Sequence, residues 1–380
     1  MHQSLGGPAH VGLVLSGGGA RAAYQVGVLA ALAERVPSLN FPILTGVSAG
    51  AINTLYLAAS PGSFADAVTA LRGEWARLTA DRVYRVRPTR LGRMVVQRLL
   101  RAAIGRRAGP TPLRGLLDME PLREFLAGGL DVSGLKANLA TGRLRAVALT
   151  ATSYSSGHTV TFVQGAPEIP TWERARRLAV RTPLTIEHVL ASSAIPVLFP
   201  AVQLGEEYYG DGSVRQTAPL SPAIHLGARA VVAIAMQTRL PATALPSAPE
   251  YPTAAQALGI VLNSIFLQAL DADAERLARI NRLLELLPPD VRPPDLGRVE
   301  LLMLHPSQDL GALAAGRFGT LPRTVRFVVE TMGGKRVRAA DFLSYLLFEP
   351  SYTSRLMDLG HADVNRNWPQ IASFFERVGV

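Results

Sequence analysis

The sequence predicts an α/β protein with a mostly parallel central sheet flanked by helices. Three observations predict it. A short aliphatic run at 10–15 reaches a glycine-rich turn and then a helix-forming run. A second apolar run beginning at Phe41 reaches another glycine-bearing turn and a second helix-forming run. Further aliphatic runs at 144–152, 228–236 and 299–304 are separated by helical stretches, the alternation that crossover connections between parallel strands require. With 380 residues, 48% of them apolar, the chain can bury a large core. The whole of 1–380 reads as one domain, with an arginine-rich insertion around 82–117 and a helical C-terminal elaboration around 254–380.

Taken in order, 10–15 is a buried strand. Ser16-Gly17-Gly18-Gly19-Ala20-Arg21 is the turn after it, and 22–32 is the first helix. The second strand ends in Thr45-Gly46-Val47-Ser48, and the helix after it continues through 51–59. Phe64, Ala67, Val68, Leu71, Trp75 and Leu78 recur at helical spacing. Asp118-Met119-Glu120-Pro121 opens another helix with acids in its first turn, where the dipole favours them. The strand at 144–152 has 159–163 as its neighbour, and 186–195 is a short helix stopped by Pro196. Glu207-Tyr208-Tyr209-Gly210-Asp211-Gly212 is a strand-like pair running into an acid bracketed by glycines. After the buried strand at 228–236, residues 254–287 are largely helical, ended by Pro288 and Pro289. A strand at 299–304 and a helical region at 342–359, interrupted at Pro350, complete the chain.

Composition narrows the chemistry. There is no cysteine, which excludes disulfides, thiol nucleophiles and cysteine-ligated zinc, and fits a reducing compartment. The first residues lack a basic region followed by an apolar core, so no signal peptide is expected. No apolar run approaches the ~18 residues that span a bilayer. A cytoplasmic protein, soluble or attached to a membrane surface, is the expectation.

The net charge of +10 is unevenly placed. Between Asp81 and Asp118 there is no acid, and there are ten arginines: Arg82, Arg85, Arg87, Arg90, Arg93, Arg98, Arg101, Arg106, Arg107 and Arg114. This segment carries the whole excess of positive charge. Basic residues interleaved with Leu, Met and Val can attract an anionic membrane surface, which is favoured here over nucleic acid. A solvated insertion has the same composition.

Gly46-Val47-Ser48-Ala49-Gly50 between a strand and a helix is the context of a nucleophile elbow, a sharp turn that exposes a serine Oγ above the end of a sheet. A tight turn with a capping serine would use the same residues. Gly17-x-Gly19-x-x-Ala22 after the first strand fits a permissive dinucleotide cradle. That motif calls for an acid at the end of the next strand, where this chain has Ser48. Alternatively, two consecutive parallel strands lie side by side, so the Gly17–Gly19 amides can face a carbonyl under attack by Ser48. Asp211 in Gly210-Asp211-Gly212, taken alone, reads as an ordinary Asp-Gly turn.

Ser16-Gly-Gly-Gly-Ala-Arg21 with Tyr24, Gly46-Val-Ser48-Ala-Gly50 and Gly210-Asp211-Gly212, in this order, resemble the patatin-like phospholipases of bacteria. The resemblance covers about 11–217. It implies a three-layer patatin-like fold, and hydrolysis of carboxylic esters of lipids or phospholipids without metal or other cofactor. It implies Ser48 as nucleophile and Asp211 as its base, a Ser–Asp dyad with no histidine. Gly17, Gly18 and Gly19 would form the oxyanion hole, with Arg21 bracing the loop. Two positions depart from the family: Ala22 and Ser213 stand where glycine, and glycine or alanine, are common.

Two alternatives stay open. In a Ser-His-Asp esterase, His305 after a strand is the best-placed histidine, ahead of His158, His188, His225 and His361, with His2 and His10 at the start. A non-catalytic protein binding anionic membranes or nucleic acid would rest on the arginine cluster alone.

Overall fold

A computed structural model of the chain describes residues 10–86, 115–239, 253–293, 296–321, 326, 330 and 340–380. Its strands are β1 (His10–Leu15), β2 (Ile43–Val47), β3 (Arg85–Val86), β4 (Leu117–Asp118), β5 (Ala146–Ser153), β6 (Thr159–Gly165), β7 (Glu173–Arg174), β8 (Arg177–Arg181), β9 (Val202–Leu204), β10 (Glu207–Asp211), β11 (Ala228–Ile234) and β12 (Glu300–Leu304). Its helices are α1 (Ala23–Arg35), α2 (Ala49–Ala59), α3 (Phe64–Arg77), α4 (Ala80–Val83), α5 (Glu120–Gly129), α6 (Gly134–Ala140), α7 (Ile186–Ser192), α8 (Ser221–His225), α9 (Ala254–Phe266), α10 (Gln268–Leu286), α11 (Ala340–Leu346), α12 (Pro350–Arg366) and α13 (Trp368–Val378).

The main sheet runs β12-β11-β1-β2-β5-β6-β8-β7. The block β12, β11, β1, β2, β5 is parallel throughout. β5 and β6 pair antiparallel, β6 and β8 parallel, and β7 and β8 antiparallel. The parallel block is buried on both faces, and the alternation of side chains shows why. On β1, Leu13 and Leu15 point into one core while Val14 points into the other. On β11, Val232 and Ile234 face the first core, and Val231 and Ala233 the second. A strand apolar at every position has to be covered twice. The first layer of helices includes α1, α2, α3 and α12; the second is α8 with α10.

Local chemistry fixes the helix that follows the elbow helix. Ser63 caps α3 by accepting from the Asp66 N–H, while the Asp66 side chain accepts from the Ser63 N–H, a reciprocal cap that starts the helix at Phe64. Its apolar stripe, Ala67, Val68, Leu71 and Trp75, is buried, and the Trp75 indole donates to Asn53 of α2 at 2.7 Å. A buried indole without such a partner would cost about 1–3 kcal/mol.

β3 and β4 pair antiparallel, Arg85 with Asp118 and Val86 with Leu117, which pinches together the two ends of the arginine-rich segment. Most of that segment lies outside the described residues. Arg82 and Arg85, which are described, are exposed. The helical region at 254–287 is two helices, α9 and α10, meeting at Leu267. Here the reading of apolar length needs correction. The stretch Ala254–Leu286 is, by length and composition alone, long and apolar enough to cross a membrane. The sequence reading missed it because the run mixes Ala, Gly, Asn and Ser among its aliphatic residues. Leu262 and Phe266 of α9 pack into the first core and Leu270, Ala274 and Leu277 of α10 into the second.

Candidate active site

The two halves of the site meet at one edge of β5. β2 pairs with β5 up to Val47 opposite Thr150 and ends there. β10, running the other way, pairs with β5 from Tyr209 opposite Ser153 to Asp211 opposite Ala151. The other edge of β5 is taken by β6. β2 and β10 therefore occupy the same edge and end head to head, so Ser48 and Asp211 emerge at adjacent points. Asp211 is anchored there: its N–H donates to Ala194 O at 2.8 Å and its carbonyl accepts from Thr152 Oγ1 at 2.9 Å.

Ser48 has φ 55 and ψ −131 and is a non-glycine residue with positive φ. Such a conformation costs on the order of 1–3 kcal/mol and persists only where surrounding structure enforces it. Ser192 supplies part of that enforcement. Its hydroxyl accepts from the Ser48 N–H at 2.9 Å and donates to Thr150 O at 2.6 Å, tying the elbow to β5. The glycines on either side are needed for space. A side chain on Gly50 would run into the Leu15 carbonyl, and one on Gly46 into Thr54 and the Gly50 carbonyl. Ser48 precedes α2 without capping it through its side chain, so Oγ is not consumed by the helix end.

Asp211 is wholly buried, and Ser48 is 2% exposed. Burial pushes the Asp211 carboxyl up to about 7, opposed by the nearby Ser48 hydroxyl and by the Ser213 N–H and hydroxyl. Oδ1 accepts from the Ser213 N–H at 2.8 Å, while Oδ2 has no direct hydrogen bond among the described residues. Gly210 lets the Tyr154 ring lie close beside the strand, and burial together with the Asp211 charge raises the Tyr154 phenol. Gly212 sits where any side chain would strike the Thr150 carbonyl.

The glycine loop closes the third side. A Cβ on Gly17 would stand 2.9 Å from Ser48 Cβ, 2.7 Å from Ser213 Oγ and 2.7 Å from Phe266 Cδ1. Only glycine allows the backbone so close to the serine. Gly18 lies against Met236, and Gly19, with φ +56, against the Tyr345 carbonyl. Neither the Gly17 nor the Gly18 N–H donates to another backbone group among the described residues.

Arg21 is 2% exposed and points away from Ser48. It donates to Ser344 Oγ at 2.7 Å, to Asp341 Oδ1 at 2.9 Å and to Asn263, and lies 4.3 Å from the centre of the Tyr345 ring. It thus ties the loop to α9 and α11. His305 is held by Gln237 O at 3.1 Å and faces Asp271. His188 caps α7 through Thr185, His225 bonds Ser221, and His361 bonds Glu34. Among the described residues no histidine ring hydrogen-bonds Ser48 or Asp211, and His2 lies outside them.

Ser192, Phe266 and Tyr345 belong to this site and were not singled out from the sequence. All three reach it only through tertiary packing, which no local pattern reports.

The site thus combines a strained serine at a strand–helix turn, a buried carboxylate beside it and a glycine loop close to both, on a mixed α/β sheet. The chain belongs to the patatin-like phospholipase family, whose sequence model matches residues 13–224. No curated protein sequence matches it significantly. Among solved structures it is similar to human GIVD cytosolic phospholipase A2 in complex with methyl gamma-linolenyl fluorophosphonate and terbium chloride, at 17% identity and a TM-score of 0.43, covering 98% of this chain and 59% of that one. It is also similar to VipD from Legionella pneumophila, at 16% identity and a TM-score of 0.34, covering 92% of this chain and 67% of that one. A shorter match is to the heterodimeric ExoU–SpcU complex of Pseudomonas aeruginosa, at 23% identity and a TM-score of 0.21, covering 42% of this chain and 33% of that one. The chain thus spans 59% of the length of the human phospholipase.

Proposed function

We propose that this protein is a lipid acyl hydrolase that cleaves carboxylic esters through a Ser48–Asp211 dyad. The observation that carries the reading is the strained Ser48 abutting a buried carboxylate. Ser48 Oγ attacks the ester carbonyl while its proton passes to Asp211. A general base works best with a pKa near the working pH, and a carboxyl raised to about 7 meets that requirement far better than a solvated one. The tetrahedral oxygen is stabilised by N–H groups of Gly17, Gly18 and Gly19, each typically worth about 3–4 kcal/mol at the transition state. The alcohol leaves with the proton from Asp211, and water then hydrolyses the acyl-enzyme.

The substrate is a lipid or phospholipid ester, in keeping with the family. The partner is an anionic membrane surface met from the cytoplasm, a reading supported by the ten arginines between Asp81 and Asp118. Fatty-acid release from phosphatidylglycerol vesicles by wild type and Ser48→Ala tests the reading. Release by wild type alone is the expected result; equal release by both, or none by either, counts against it. Sedimentation with the same vesicles should weaken as salt screens surface charge.

A further inference from the structure

Ser213 lies beside the dyad, its hydroxyl near enough to the Asp211 carboxylate to favour the charged form but without a direct hydrogen bond among the described residues. Its N–H fixes one oxygen of the carboxylate, Asp211 Oδ1, at 2.8 Å. Its Oγ and the other oxygen, Asp211 Oδ2, are both fully buried, and among the described residues neither makes a direct hydrogen bond. Polar atoms buried without partners cost stability and are rare, so two of them on neighbouring groups call for an explanation. A single point beside Gly17 lies 2.7 Å from Ser213 Oγ and 2.9 Å from Ser48 Cβ. The hydroxyl therefore borders the nucleophile as well as the carboxylate. A hydroxyl and a carboxylate oxygen together offer the two polar partners that seat a water.

The geometry points to Ser213 as a water-positioning residue: its Oγ and Asp211 Oδ2 hold the water that hydrolyses the acyl group on Ser48. This rests on the acyl-enzyme reading above. The water oxygen bonds to the acyl carbon and gives one proton to Asp211 Oδ2, while its second O–H stays directed at Ser213 Oγ. The tetrahedral intermediate then collapses, breaking the bond between the acyl carbon and Ser48 Oγ. Ser48 recovers the proton from Asp211, and the carboxylic acid departs. Acylation has no such requirement, because its nucleophile is the Ser48 hydroxyl itself. The two half-reactions should therefore separate when the Ser213 hydroxyl is removed.

The test compares wild type, Ser213→Ala and Ser213→Gly with p-nitrophenyl butyrate, following the acyl-enzyme by intact-protein mass and adding methanol as a competing acceptor. Labelling by a fluorophosphonate, which reads Ser48 and its Asp211 base without any attack by water, is expected to stay within about twofold of wild type. The acyl-enzyme should persist about tenfold longer, the effect of losing one hydrogen bond to the attacking water. The ratio of methanolysis to hydrolysis should rise, since methanol has no second O–H for Ser213 to accept. Unchanged lifetimes in both variants would overturn the inference. So would a labelling rate that falls in step with hydrolysis, or shifts to higher pH with unchanged partitioning. An acyl adduct that still forms in Ser48→Ala would overturn this inference and the acyl-enzyme reading together.

Discussion

Ser48 and Asp211 stand next to each other because β2 and β10 end against neighbouring residues of β5, Val47 opposite Thr150 and Asp211 opposite Ala151. Neither helix dipole nor loop placement is needed to explain the approach. Register does it, and register is hard to disturb in a sheet buried on both faces.

The pH dependence of turnover follows from the burial of Asp211. The carboxyl must be ionised to accept a proton, and it is pushed up to about 7. kcat/KM for a neutral ester should therefore rise with pH through a midpoint near 7 rather than near the ordinary carboxylate value. A pH–rate profile flat from pH 5 to pH 9 would show that Asp211 is not the base.

Stability should move the opposite way. The Asp211 pKa is raised on folding, so the folded protein holds this proton more tightly than the unfolded chain. Its contribution is fully present below the unfolded value and is lost as pH rises through about 7. Asp211→Asn removes the buried charge and should raise Tm at pH 8 while abolishing turnover. Thermal melts at pH 5 and pH 8 check this, with the gain larger at pH 8.

Ser192→Ala should harm both fold and rate. It leaves the buried Ser48 N–H without the Ser192 hydroxyl and removes a donor from Thr150 O. A buried donor left unsatisfied costs about 1–3 kcal/mol. Denaturant unfolding should show a loss in that range, with kcat reduced because the elbow relaxes. Full stability and full rate in this variant would mean that other contacts hold the elbow.

Gly17→Ala and Gly50→Ala should fail differently. The new methyl at Gly17 projects toward Ser48, Ser213 and Phe266. It should cut kcat/KM at least a hundredfold, the scale of losing an oxyanion contact, and lower Tm less than Gly50→Ala does, because it meets side-chain atoms and no backbone carbonyl. At Gly50 the methyl meets the Leu15 carbonyl, a backbone atom of a central strand. That variant should lose several degrees in Tm, or fail to fold, before activity is at issue.

Much of this fold was legible. The aliphatic runs of β1, β2, β5, β11 and β12 and the turns after β1 and β2 are local patterns, and their adjacency follows from the crossover rule. The positions of Ser48 and the glycine loop were readable for the same reason. The way Asp211 arrives was not. Tyr208 and Tyr209 mark β10 as a strand, but nothing local says that it pairs antiparallel with β5 beyond the end of β2. Ser192 and Phe266 were invisible as site residues because a hydroxyl or a phenyl ring carries no signal of the distant backbone it will touch. The link from Arg21 to Asp341 and Ser344 is of the same kind.

The most direct test of the central claim is site mapping with a fluorophosphonate probe on wild type, Ser48→Ala and Asp211→Asn, each shown folded by circular dichroism. One adduct on Ser48 in wild type, none in Ser48→Ala and labelling slowed at least a hundredfold in Asp211→Asn is the predicted result. An adduct at another serine, or undiminished labelling of Asp211→Asn, would contradict the account.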